Sequence, residues 1–226
     1  MKKVLLATML VAAVAVNAQS FKPEVGKFGM EVAVSGLTDI DLQGGALVGT
    51  YSFSENIGFR LGLGFNSTST TSDNGDSGAA LRKFELSINQ FTIAPGIVYS
   101  FAGTEKLTPY VGAEFLLGST SNKITATRGT ASGNHVETTE NINGNMFGIN
   151  FEALNTFGFN VFTGFNYYFA KNLYIGAECG LGIVSVSEKN WKITETGVDN
   201  QEGKDKNGGF GMGVGCNTSL RLGWAF

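Results

Sequence analysis

Four times this chain places an aromatic residue, one spacer and then Phe: Tyr51-Ser52-Phe53, Tyr99-Ser100-Phe101, Tyr167-Tyr168-Phe169 and Trp224-Ala225-Phe226. The first three run straight into short polar turns, and the fourth closes the sequence. Each ends a run in which apolar residues alternate with small ones. That period of two puts alternate side chains on opposite faces of a strand. A strand whose outward face stays apolar and ends in an aromatic pair suits a barrel at a membrane–water boundary, where amphipathic rings rest at headgroup level. Four such endings predict four strands descending to one boundary, hence eight in an antiparallel up-and-down barrel.

The strands follow by parity. Phe28, Met30, Val32 and Val34 share one face of the first, opposite Gly29, Glu31 and Ala33. Leu47, Tyr51 and Phe53 line the second, and Ile57, Phe59, Leu61, Leu63 and Phe65 the third. The fourth begins on Phe84, Leu86 and Ile88 but ends on Ile97, Tyr99 and Phe101, a flip near Asn89-Gln90 that predicts a β-bulge. Pro95 is awkward in this strand because it cannot donate to a ladder. Val111, Ala113, Phe115 and Leu117 mark the fifth, and Phe157 through Phe165, Tyr167 and Phe169 the sixth. The seventh runs over Leu173 to Ile183, and the eighth carries Leu220, Leu222, Trp224 and Phe226 outward. Segments of ~10 residues suffice to cross a bilayer when tilted.

The same parity turns Glu31, Arg60, Glu114, Glu178 and Arg221 into the lumen. Counted up from the aromatic ends, they predict one band in the lower half of the barrel. Buried charges are costly unless paired, so Glu and Arg are expected to meet across the interior. Closure makes strands eight and one neighbours, so Glu31–Arg221 is the first expected pair and Glu178–Arg221 the next. An eight-stranded interior is just wide enough for side chains to fill, which predicts a plugged lumen.

The N-terminus bears on compartment. Lys2 and Lys3 precede the apolar run Val4 to Val16, and Val16-Asn17-Ala18 is a small-residue cleavage pattern. Residues 1–18 therefore read as a secretory signal, 19–27 as a short periplasmic segment and 28–226 as the barrel. The apolar run is shorter than the ~20 residues a spanning helix needs, and no later run reaches 18. The 32 glycines and 18 phenylalanines beside 3 prolines fit a chain whose every second residue faces a polar lumen. Without Lys2 and Lys3 the chain carries 14 basic residues against 19 acids, a net charge of −5. A mildly acidic balance without a basic cluster argues against a nucleic-acid partner.

The connections are unequal. Those after the aromatic pairs are short, at Ser54 to Asn56, Ala102 to Pro109 and Ala170 to Asn172, whereas residues 66–82, 119–145 and 188–208 form long polar loops. Only the first connection on that side, around Asp39 to Asp41, is brief. Short periplasmic turns with long outer loops are the usual asymmetry of bacterial outer-membrane barrels. Residues 146–155 could extend strand six or form a separate element or hairpin.

Chemistry-bearing motifs are thin. The glycines from Gly209 to Gly215 alternate inside a strand and do not open a helix, so they do not cradle phosphate. His135 is the only histidine and has no nucleophile beside it in sequence. Asp73-Asn74-Gly75-Asp76 lacks the further acids of a calcium loop. Cys179 and Cys216 fall on neighbouring strands with lipid-facing parity; an oxidising compartment permits a disulfide, while two small apolar-like thiols are the plainer reading. No catalytic residue, metal site or cofactor is expected.

Tyr51 to Gly64, Pro95 to Gly118 and Tyr167 to Gly182 resemble the outer-membrane β-barrel domain family, the small porin-like barrels of the OmpA/OmpX type, over about residues 24 to 226. Phe226 with Trp224, Leu222 and Leu220 resembles the insertion signal read by the barrel-assembly machinery. The resemblance implies outer-membrane lipid around the barrel, assembly machinery and periplasmic chaperones during biogenesis, and a monomer. It implies no activity. A structural or surface-interaction role is expected first, a narrow pathway for a small or apolar solute second, and a lipid-modifying enzyme last.

Overall fold

The computed structural model describes residues 25–34, 47–73, 81–130, 133–146, 149–204 and 207–226. The predicted signal, most of the 19–27 segment, the connection around Asp39 to Asp41 and Asn74-Gly75-Asp76 lie outside the described residues. Among the described residues all regular elements are strands: β1 Phe28–Val34, β2 Leu47–Ser52, β3 Ile57–Asp73, β4 Leu81–Ser100, β5 Leu107–Thr130, β6 Gly133–Glu140, β7 Gly144–Met146, β8 Ile149–Phe151, β9 Leu154–Ala170, β10 Leu173–Glu188, β11 Trp191–Glu195, β12 Gln201–Gly203 and β13 Gly208–Ala225.

Eight of these close a ring in the order β1-β2-β3-β4-β5-β9-β10-β13, every pair antiparallel. Closure runs from Gly29–Ala225 to Val34–Leu220. At the seam Phe28 N donates to Phe226 O at 3.1 Å and Phe226 N to Phe28 O at 2.9 Å. A closed ring leaves no unpaired edge within it, which is what a strand-built membrane span requires.

The packing is inside out. Odd-numbered residues of β3, β4 and β9 point away from the axis and leave Phe59, Phe65, Phe91, Ile97, Tyr99, Phe157 and Phe165 exposed, while Arg60, Ala94 and Phe162 are buried. From Tyr99 up to Phe91 the lipid face of β4 covers ~26 Å of strand, or ~20 Å of height at ~40° tilt, close to the usual apolar band of an outer-membrane barrel.

The predicted bulge at Asn89-Gln90 is absent. The β3–β4 register runs unbroken from Ile57–Tyr99 to Asp73–Lys83. Phe84, Leu86 and Ile88 keep the inward parity of Ala94 and pack with Ile124 and Ile142 into a small core. The apolar face changes because the surroundings change: in the lipid band it points out, and above the band it points in, as in water-soluble sheets. Pro95 is accommodated by leaving the β4–β5 ladder without pairs between Ile93–Leu117 and Gly96–Glu114, with no change of register. Register shifts occur instead at Leu81/Lys83, Gly176/Glu178 and Leu173/Tyr174.

The three long connections are not simple loops, and six of the eight ring strands run 16–24 residues, beside 7 in β1 and 6 in β2. β3 continues to Asp73 and β5 to Thr130. Upper β5 pairs with β6, β6 with β11 and β11 with β12, so one continuous sheet rises from the barrel wall. Ion pairs Lys123–Glu140 and Lys192–Glu202 cross its strands on the exposed face, and Lys83–Glu85 runs along the neighbouring β4. Of residues 146–155, Met146 and Ile149–Phe151 belong to the separate β7–β8 ladder, while Leu154 and Asn155 begin β9 and so extend strand six.

Candidate functional site

Inward parity brings Glu31, Arg60, Glu114, Glu178 and Arg221 together from β1, β3, β5, β10 and β13, each between 5% and 9% exposed. Arg60 and Glu114 lie in one register row with Gly96 between them. A Cβ at Gly96 would come within 2.7 Å of the Glu114 Cβ, so glycine is what lets the two charged stems approach.

The charges form a chain across the interior. Arg60 Nη1 donates to Glu178 Oε2 at 2.6 Å, and Arg60 Nε stands 3.7 Å from Glu114 Oε2. Arg221 Nη1 bridges Glu31 Oε2 at 2.8 Å and Glu178 Oε2 at 3.1 Å. Two tyrosines and an amide add hydrogen bonds to the three carboxylates. Tyr110 donates to Glu178 at 3.1 Å, Tyr174 to Glu31 at 2.7 Å and Asn160 to Glu114 at 3.1 Å. Aromatic faces cover the cations: Arg60 Cζ lies 4.4 Å from the Phe162 centroid and Arg221 Cζ 5.5 Å from that of Tyr110.

Three lumen rings sit on a glycine directly across the ladder. Gly112 faces Phe162, Gly164 faces Tyr110 and Gly223 faces Tyr174. A Cβ at any of the three would overlap the partner ring. The glycine alternation is thus a set of sockets for aromatic side chains in a narrow interior. Tyr110, Asn160, Phe162 and Tyr174 escaped the sequence reading, although their even numbering gives them the inward parity of Glu114 and Glu178.

Below the cluster lies a cup of about 130 Å³ at the short-turn end, lined by Lys27, Glu55, Thr108, Asn166, Tyr168 and Arg221 among others. Arg221 Nε and Nη2, Thr108 Oγ1 and Asn166 Oδ1 are buried without protein partners. They are positions for water or a small polar solute.

The other sequence-marked residues fall elsewhere. Tyr51, Phe53, Tyr99, Phe101 and Tyr167 are exposed around the short-turn end, joined by Trp224 and Phe226. Phe169 is half-buried, because the register shift opposite Leu173/Tyr174 makes it the extra residue of β9. Leu222 is half-buried, and Leu220 stands opposite Val34. His135 Nε2 lies 2.8 Å from Glu195 Oε1, tying β6 to β11 in the upper sheet. Cys179 is disulfide-bonded, against the plainer reading of free thiols, and the chain's other cysteine, Cys216, is its register partner.

A sequence-family model described as "Outer membrane protein beta-barrel domain" matches residues 4–217. Among solved structures the chain is similar to the crystal structures of Acinetobacter baumannii CarO and CarO2. Each is 12% identical at a TM-score of 0.31, and the alignments cover 92% and 91% of this chain and 99% of each of theirs. No curated protein sequence matches the chain.

Proposed function

The chain belongs to the outer membrane protein beta-barrel domain family, and we propose that within the bacterial outer membrane it is a closed barrel that anchors a folded sheet at the cell surface. The observation that carries this reading is the ion-pair chain Glu114–Arg60–Glu178–Arg221–Glu31, buried on the inward face together with Tyr110, Phe162 and Tyr174. Opening a pore through it would mean separating buried charges, each separation costing a few kcal/mol. The short turns face the periplasm and β6, β11 and β12 face outward, following the length asymmetry of such barrels. The sheet's ladder of Lys–Glu pairs presents a stable polar surface to a partner outside the cell.

A narrow solute pathway is the second reading, favoured by the cup with its unpartnered Arg221 donors below the cluster. Planar-bilayer recording of the full-length barrel separates the two. A closed barrel gives no stable conductance steps, whereas a pathway gives reproducible steps or solute flux.

A further inference from the structure

Above the lipid band the barrel wall does not end; it changes strands. Lower β5 pairs with β9 up to Ser119–Asn155, and from Lys123–Glu140 upward it pairs with β6. β9 pairs with β10 up to Leu154–Glu188, above which β6 pairs with β11. β10 pairs with β13 up to Ser187–Gly208, above which β11 pairs with β12. Three consecutive ladders therefore break at one height and resume with new strands in the same order. The break opens a groove of about 610 Å³ whose lining includes Asn155, Glu188, Lys189, Asn190, Lys204 and Asn207. A second pocket of about 250 Å³ shares Glu188 and Asn207 with it.

The height of the groove matters. Asn155, Ser187 and Gly208 form one register row, and Phe157, Ser185 and Phe210 form the row two residues below. Phe210 and Met212 are the most exposed apolar side chains of the described residues, at 74% and 70%. Two residues of strand are ~7 Å, so the groove begins at headgroup depth directly over an apolar surface.

Its chemistry is two-sided. Glu188 Oε2 is buried with no hydrogen-bond partner among the described residues, an acceptor in need of a donor. Lys189 Nζ donates to Ser119 Oγ at 2.7 Å and keeps further donors, and neither Lys189 nor Lys204 has a carboxylate within ion-pair distance among the described residues. Burial pulls the Lys189 ammonium below the usual lysine range, so a nearby anion would relieve it.

We propose that this groove binds the headgroup of an anionic, hydroxyl-bearing lipid of the outer leaflet. Lys189 and Lys204 take its phosphate, a headgroup hydroxyl donates to Glu188 Oε2, and the acyl chains descend over Phe210 and Met212. The proposal rests on the membrane placement above and is independent of whether the lumen conducts.

The test is native mass spectrometry of the full chain folded in dodecyl maltoside, titrated with dioleoyl phosphatidylglycerol or dioleoyl phosphatidylcholine. Phosphatidylglycerol should bind at least tenfold tighter, and the Lys189→Gln/Lys204→Gln double variant should lose that preference. Glu188→Ala should weaken phosphatidylglycerol about tenfold, because an acceptor is lost; charge alone predicts tighter binding once the carboxylate is gone. Heat-modifiable mobility verifies that each variant is folded. Equal binding of the two lipids, a preference that survives the double variant, or tighter binding in Glu188→Ala would overturn the proposal. Glycerol 3-phosphate binding as tightly as the lipid would also overturn it, by making a free phosphate ester the ligand.

Discussion

At Arg221 a single guanidinium nitrogen serves two carboxylates, Glu31 at 2.8 Å and Glu178 at 3.1 Å. Arg221→Ala leaves Glu31 without a cation and Glu178 with Arg60 alone, in surroundings where burial makes an unpaired charge expensive. A loss of about 3–5 kcal/mol is expected, read as a lowered urea midpoint in micelles. The sockets give a second expectation. Gly112→Val should collide with the Phe162 ring that covers Arg60 and cost about 1–3 kcal/mol. Gly211→Val, with nothing within 4 Å of its Cβ, should stay within about 0.5 kcal/mol. Equal effects at the two glycines would contradict the socket account. Parity alone places all five charged residues on the inward face, since a period of two leaves no freedom once the lipid face is known. Which oxygen meets which nitrogen was not legible, because that depends on strand stagger and on Gly96 clearing space between Arg60 and Glu114.

Among the elements, β4 shows how one strand serves two solvents. Its lower half turns Ile97 and Tyr99 to lipid, and its upper half turns Phe84 and Leu86 inward to Ile124. The parity flip is plain in the sequence, yet it marks the membrane boundary and not a bulge, because a bulge and an inverted environment shift the apolar pattern alike. β6, β11 and the upper part of β5 escaped notice for a related reason. Ser, Thr, Lys and Glu give no apolar alternation, so sheet held by cross-strand ion pairs looks like loop. Asn122, only 3% exposed, fastens the connection after β6 to this sheet. Its Nδ2 donates to Ile142 O at 2.7 Å, and its Oδ1 accepts from Ile142 N at 3.0 Å. Asn122→Ala should cost about 1–3 kcal/mol locally, and limited proteolysis should then cut within residues 141–153 sooner than in the parent barrel. An unchanged cleavage pattern would mean that Ile142 holds the segment by packing alone.

For the whole molecule, closure joins the first strand to the last, and the hydrogen bonds between Phe28 and Phe226 complete the ring. Phe226→Asp puts a charge among the exposed rings of Trp224 and Phe28 at the headgroup boundary. It should sharply lower the yield of heat-modifiable barrel in outer-membrane fractions, and normal yield would contradict an insertion role for that terminus. Strand number and direction were legible because lipid imposes a strict period and an aromatic ending. The sheet above the membrane was not, because water imposes neither. The central claim is that paired charges close the lumen, and planar-bilayer recording tests it most directly. The parent barrel should show no conductance steps and Arg221→Ala should show small, reproducible ones; steady conductance in the parent, equal in the variant, would contradict it.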